Sequence, residues 1–349
     1  MTAQKDLFFQ GIRGVCIIAV VLIHCMTGGM FEHEAILRFN YDYWIVFRQF
    51  INFPVAIFIF LSGYFVKQKE YNKNSFSAIK RRGGRLLVPF IIWSLIYTAY
   101  NFVVQGFQIS GIKAILRIIT GSASGQLYFI LVLIQLTILT PICIKCLASK
   151  TLNRLAFCIT PLYLVALYSI QCVYKIQLPF YQTLFPAWFL FYYYGLYVHK
   201  NKEEFLQKTN LLKALAFVFL ALLFSVFEAF VLKSFGLPDG FVTSQIKLSS
   251  FCYAIAVIQL LLVVHKIEPS QRFSRLLVIL GDYSYGIYYV HCIWLGLLIK
   301  GIMLLPVIRD ILPLCQIIEA GLVIALSYGF IRITIKTMGE KKSRFLFGF

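Results

Sequence analysis

The sequence predicts an all-α, polytopic membrane protein with about ten transmembrane helices and both termini in the cytoplasm. Its 349 residues are 60% hydrophobic, 17% aromatic and 13% charged, with a mean hydropathy of +0.80; no water-soluble fold of this size could bury so much apolar surface. Apolar stretches of about 18 to 24 residues recur almost end to end, each long enough as a helix to cross a hydrocarbon core of roughly 30 Å. Barrel strands would be shorter and would alternate. The third observation is charge: 33 Lys and Arg against 14 Asp and Glu give +19, and the basic residues concentrate in every second connection.

The first expected span is 11–28. Its positive approach is short, and "HCMTGGMFEHE" lacks a small-residue cleavage pattern, so it reads as a retained helix rather than a leader. Spans 43–66 and 86–106 are separated by the basic stretch Lys67 to Arg85, and 126–148 and 154–173 by a short connection with Lys145, Lys150 and Arg154. Spans 183–199 and 211–234 flank Lys200 to Lys213, 245–266 and 280–300 flank Lys266 to Arg275, and 311–335 leads into Arg332 to Arg344. An even number puts both ends on one side. With the approach to the first span, these connections carry 24 Lys and Arg and the alternate ones 9, and basic loops stay cytoplasmic. The +19 charge is therefore topogenic, faces anionic lipid headgroups and calls for no nucleic acid partner.

No Gly-, Ser- or Pro-rich linker separates two compositions, so 1–349 reads as a single membrane-embedded domain. The longest external connections are "FEHEAILRFNYDYW" and "QGFQISGIKAILRIITGSASGQ", the latter with an amphipathic piece around Ile112 to Ile119 suited to the interface. The nine cysteines fall almost wholly inside expected spans, where Cys behaves as a small apolar residue. Cys143 and Cys146 form a lone C-x-x-C without a second pair, which predicts no metal or redox site.

Ionisable residues inside spans are costly, and they are the candidates for chemistry. Arg13 and His24 are eleven residues apart, about three helical turns, and so share one face roughly 16 Å apart along the axis. Snorkelling of Arg13 and helix packing by His24 are the ordinary readings beside a joint role in one groove. Arg81, Arg82 and Arg85 crowd the mouth of the third span. Their planar forks suit phosphate oxygens, and positive-inside bias accounts for them equally well. Ser284, Tyr288 and His291 fall at i, i+4 and i+7 on the ninth span, a polar stripe that faces protein, as a pocket lining or as a helix–helix seam. Glu228 and Glu319 are acidic groups inside spans whose partners the sequence leaves open.

Taken in order, these residues resemble acyltransferase family 3, the multi-span membrane O-acyltransferases that modify cell-surface glycans, over essentially the full length. The likeness rests on Arg13-Gly14 with His24 ten residues further on, the aromatic run Phe58 to Tyr64 ending Ser-Gly-Tyr, and Arg82 and Arg85 before Leu86 and Pro89. "LYFILVLIQLTILTP" and "SYGIYYVH" continue it. Two positions depart from the family pattern: Gln10 stands where many members have Asp, and Gln126 where several have His.

The resemblance implies transfer of an acyl group, usually acetyl, from cytoplasmic acyl-CoA to a sugar hydroxyl of a surface or exported glycan such as lipopolysaccharide or capsule. Acetyl-CoA would be a co-substrate, with no permanently bound cofactor, and the setting a bacterial inner membrane. Arg13, Arg82 and Arg85 would then bind CoA phosphates and His24 would remove the acceptor proton or carry the acyl group. Ser284, Tyr288, His291 and Glu228 would line or orient the acceptor pocket. The rise between Arg13 and His24 is comparable with an extended pantetheine arm. A glycan transporter or flippase is the rival; it favours paired broken helices, which the sequence does not display. A scaffold of a polysaccharide-assembly complex is the third reading.

Overall fold

α1 (Leu7–His24) starts where the Asp6 carboxylate accepts from the backbone N–H groups of Phe8 at 3.1 Å and Phe9 at 3.4 Å, satisfying donors that a helix start leaves open. The computed structural model describes residues 6–25, 34–104, 106, 111–176, 178–202, 210–267, 273–302 and 312–349, and no strand occurs among them. Eight helical segments in these residues are long and apolar enough to cross a membrane: Leu7–His24, Asp42–Tyr64, Ser75–Val104, Gly125–Cys146, Lys150–Val173, Leu211–Ser234, Leu248–Ile267 and Pro313–Met338. They match eight of the expected spans; residues 26–28, 105 and 311 of those spans lie outside the described residues.

The other two expected spans are built differently. Residues 280–300 fall in a helix pair, Arg275–Asp282 and Ser284–Ile299, bent by 82°, which makes a ninth crossing if the pair counts as one. In 183–199 a short 3₁₀ turn, Phe185–Ala187, precedes a 12-residue helix, Phe189–Lys200. That helix rises only about 18 Å. Pro186 lacks the N–H needed to extend an α-helix upstream. The polytopic all-α class is thus the one observed, with eight or nine spans among the described residues.

The chain divides into two compact units, Met1–Pro54 with Ile91–Gln126 and Glu268–Phe349, and Val55–Phe90 with Leu127–Ile267. The first unit opens with α1 and α2 (Glu34–Phe50). From Val55 onward α3 (Pro54–Tyr64) belongs to the second, as do α4 (Gln68–Lys73) and α5 (Ser75–Val104) as far as Phe90. The rest of α5 and α6 (Gly111–Thr120) return to the first. The second unit is completed by α7 (Tyr128–Cys146), α8 (Lys150–Tyr168), α9 (Phe189–Lys200), α10 (Leu211–Ser234), α11 (Asp239–Val242) and α12 (Leu248–Ile267). The first is completed by α13 (Arg275–Asp282), α14 (Ser284–Ile302), α15 (Leu312–Met338) and α16 (Glu340–Phe347).

In the first unit, α1 crosses α13 with backbones in contact. A Cβ on Gly14 would overlap the Leu277 carbonyl, and one on Gly281 would overlap the Gln10 carbonyl. Glycine is required at both positions for lack of space, since both lie in regular helix. α14 and α15 also pack on α1. Trp93 of α5 stacks on Tyr289 of α14, with centroids 5.7 Å apart and planes 10° from parallel, and its indole N–H donates to the Phe347 carbonyl at 3.1 Å. The C-terminal segment is thereby fastened to the helices. α6 is the amphipathic piece expected in its loop, and Ile112, Ile115, Leu116 and Ile119 are exposed along it.

In the second unit the same device joins α3 to α9: Gly63 lies against the Tyr192 carbonyl and Gly195 against the Phe60 carbonyl. α8 ends in a π-helical turn, Ser169–Val173. α10 packs on α12 and leaves Leu212, Phe219, Leu220 and Phe227 more than three-fifths exposed, an apolar face that suits lipid.

The glycine crossing of α1 and α13 predicts that Gly281→Val lowers stability by about 1–3 kcal/mol or more through overpacking. Gly321→Ala, inside α15 where an added methyl meets nothing, should leave it unchanged or raise it by about 0.5–1 kcal/mol. Thermal unfolding in detergent reads the difference.

Candidate active site

The first unit carries the Arg13–His24 pair. α1 runs without a break from Leu7 to His24, so the two side chains share the expected face. Arg13 Nη1 donates to Gln10 Oε1 at 3.3 Å, and Asp282 of α13 lies within its electrostatic reach. Gln10 therefore still offers Arg13 an acceptor, while a negative charge comes from a neighbouring helix. No sequence pattern points to Asp282, because it stands near the other end of the chain, and only the α1–α13 crossing closes that separation.

His24 is partly exposed, and its ring centroid lies 5.1 Å from that of His291, which is fully buried on α14. His291 Nδ1 sits 3.0 Å from the Ile287 carbonyl. A carbonyl only accepts, so the hydrogen bond assigns the proton to Nδ1 and leaves Nε2 with its lone pair. Nε2 is 3.2 Å from Cys292 Sγ. Arg48 of α2 is within electrostatic reach of His24; an arginine inside the apolar segment Asp42–Tyr64 is the sequence signal for it.

The remaining members of the stripe are placed on the same helix and spent on backbone. Ser284 Oγ donates to the Gly281 carbonyl at 2.8 Å and so holds the bend between α13 and α14. Tyr288 donates to the Gln126 carbonyl, and its ring centroid is 5.9 Å from that of His291. Gln126, the second departure from the family pattern, accepts from Ser124 at 2.6 Å. The stripe thus faces protein, as expected, and its member His291 adjoins the His24 ring.

Arg82, Arg85 and Glu228 belong to the second unit. Arg82 Nη2 donates to the Ser62 carbonyl at 2.6 Å and to Ser62 Oγ at 2.7 Å, and its guanidinium lies 5.8 Å from the centre of the Tyr192 ring. Two of the sequence motifs therefore meet: the Ser-Gly-Tyr end of α3 holds the arginine of α5, next to the glycine contact with α9. Arg81 pairs with Glu70, and Arg85 is exposed.

Glu228 of α10 is nearly buried and well partnered. It accepts from Tyr168 at 2.6 Å, from the Ser249 N–H at 3.1 Å and from the Ser249 hydroxyl, and Lys247 Nζ, wholly buried, lies 3.9 Å away. The residue fastens α8, α10 and the start of α12 together. Glu319 of α15 is in the first unit, fully buried, beside the thiols of Cys25 and Cys315.

A groove of about 640 Å³ in the first unit is lined by apolar groups, among them Ile18, Leu22, Ile279, Ile317, Ile324 and Tyr328. At 100° per residue, Ile18 and Leu22 lie roughly 120–180° around α1 from Arg13 and His24. It is separate from the face that carries them.

A family model described as an acyltransferase domain, that of acyltransferase family 3, matches residues 6–334. The chain belongs to acyltransferase family 3. It is a multi-pass membrane enzyme that transfers acyl groups. The chain is also similar to a Bacillus subtilis (strain 168) protein named "Putative membrane-bound acyltransferase YfiQ", 21% identical over 330 residues, which cover 91% of this chain and 89% of that one. No solved structure matches.

The buried Glu228–Lys247 pair predicts that Lys247→Met costs about 3–5 kcal/mol, because a carboxylate is left in the interior without its cation. Adding Glu228→Gln should recover much of the loss. Unfolding of the single and double variants measures it.

Proposed function

We propose that this enzyme moves an acetyl group from cytoplasmic acetyl-CoA to a sugar hydroxyl of a cell-surface or exported glycan, in a bacterial inner membrane with both of its termini on the cytoplasmic side. The observation that carries the reading is the partly exposed imidazole of His24, at the end of the helix that holds Arg13 three turns earlier and against the buried ring of His291. Neutral imidazole is a base suited to ambient pH.

In this reading Arg13, Arg82 and Arg85 bind the phosphates of CoA. His24 takes the proton from the acceptor hydroxyl as its oxygen attacks the thioester carbonyl; the C–S bond breaks and CoA leaves as a thiol. An acyl-His24 intermediate would divide the same transfer into two steps. His291, fixed by its bond to the Ile287 carbonyl, limits the rotation of the His24 ring. Tyr288 stands beside it, and Ser284 keeps the bend that presents both. Glu228 serves the acceptor only through the helices it joins.

His24→Ala should abolish acetyl transfer from radiolabelled acetyl-CoA to glycan while protein level and topology stay the same; activity retained in that variant removes the proposed base. Arg82→Ala and Arg85→Ala should raise the donor KM about tenfold or more and flatten its dependence on salt, since each removes one screened contact to phosphate. An unchanged KM returns these arginines to topology and packing.

A further inference from the structure

We propose that His24, His291 and Cys292 form a binding site for one zinc-class divalent cation. One ligand atom from each residue lies within 4.8 Å of the others. In a tetrahedral zinc site, metal–nitrogen bonds of about 2.0–2.1 Å and metal–sulfur bonds of about 2.3 Å put neighbouring ligand atoms roughly 3.3–3.6 Å apart. His291 Nε2 and Cys292 Sγ are already 3.2 Å apart, so a small rotation of His24 closes the set. Three protein ligands leave a fourth position open.

The orientation of His291 is an independent sign. Metal-binding histidines commonly donate their second ring N–H to a carbonyl or carboxylate, which fixes the ring and directs the other nitrogen to the metal. His291 Nδ1 is bonded to the Ile287 carbonyl at 3.0 Å, and its Nε2 faces Cys292. Charge balance is at hand too. Binding displaces the Cys292 thiol proton to solvent and leaves a thiolate.

The nature of the cation follows from the donors. Two imidazoles and a thiolate suit Zn²⁺ and its chemical relatives, whereas Mg²⁺ and Ca²⁺ need oxygen ligands. The Arg48 guanidinium within reach of His24 also opposes any cation held by charge alone. A metal at this position occupies the His24 nitrogen that takes the acceptor proton, so it would inhibit transfer. That consequence rests on the proposed function; the binding does not.

The test is a Co²⁺ titration of the tag-free full chain in lipid nanodiscs. One equivalent should produce a thiolate-to-cobalt charge-transfer band with the visible absorption of tetrahedral Co²⁺, and Zn²⁺ should displace it. Cys292→Ala should remove the band, and His291→Ala should weaken binding at least about tenfold. Cys158→Ala, on an exposed cysteine of α8, should change neither. Absence of the band in the wild-type protein, which needs no variant to fold, overturns the site, as does a band of unchanged strength and affinity in Cys292→Ala. If Zn²⁺ binds as described and acetyl transfer continues at its full rate, the site stands and the assignment of His24 as base falls.

Discussion

The backbone crossing of α1 and α13 is the contact on which the first unit depends. Gly14 and Gly281 let two helices touch at carbonyl distance, and that fixes where α13 ends. The chain then turns by 82°, held by Ser284 on the Gly281 carbonyl, and α14 carries His291 to the ring of His24. A glycine whose neighbour in sequence is the motif arginine therefore acts at the other end of the helix, through the rigid connection between close packing and the start of the next helix.

A second constraint acts throughout: a polar group in a membrane has no water to fall back on. Glu228 answers it with Tyr168, Ser249 and Lys247, and Tyr97 with the Tyr289 carbonyl. These are locally satisfied groups, and they make structure. The cluster of His24, Cys25, His291, Cys292 and Glu319 is different in kind, since it gathers nucleophilic and metal-ligating groups around a partly exposed imidazole.

Much of the site is legible as pattern. The spacing of Arg13 and His24 sets their shared face, and the polar stripe through His291 points to a side that faces protein. The purposes within the stripe are not legible: Ser284 holds a bend, and Tyr288 a backbone carbonyl. Nor can the pattern reveal that Arg82 is held by Ser62, though both stand in family motifs, because the contact joins two helices whose relative placement no local rule fixes. The segment 183–199 is apolar enough to read as a span, and the pattern does not reveal that it is built as a 3₁₀ turn around Pro186 followed by a 12-residue helix.

The sequence by itself determined the membrane class, most of the helices and the residue types able to do chemistry, because hydrophobic length and helical periodicity are properties of a single segment. Only the tertiary structure decided which of those residues meet. Asp282 reaches Arg13, His291 reaches His24 and Lys247 reaches Glu228 across gaps closed by helix packing. Such pairings depend on how close two backbones can come and at what angle, and those quantities belong to pairs of helices rather than to either one.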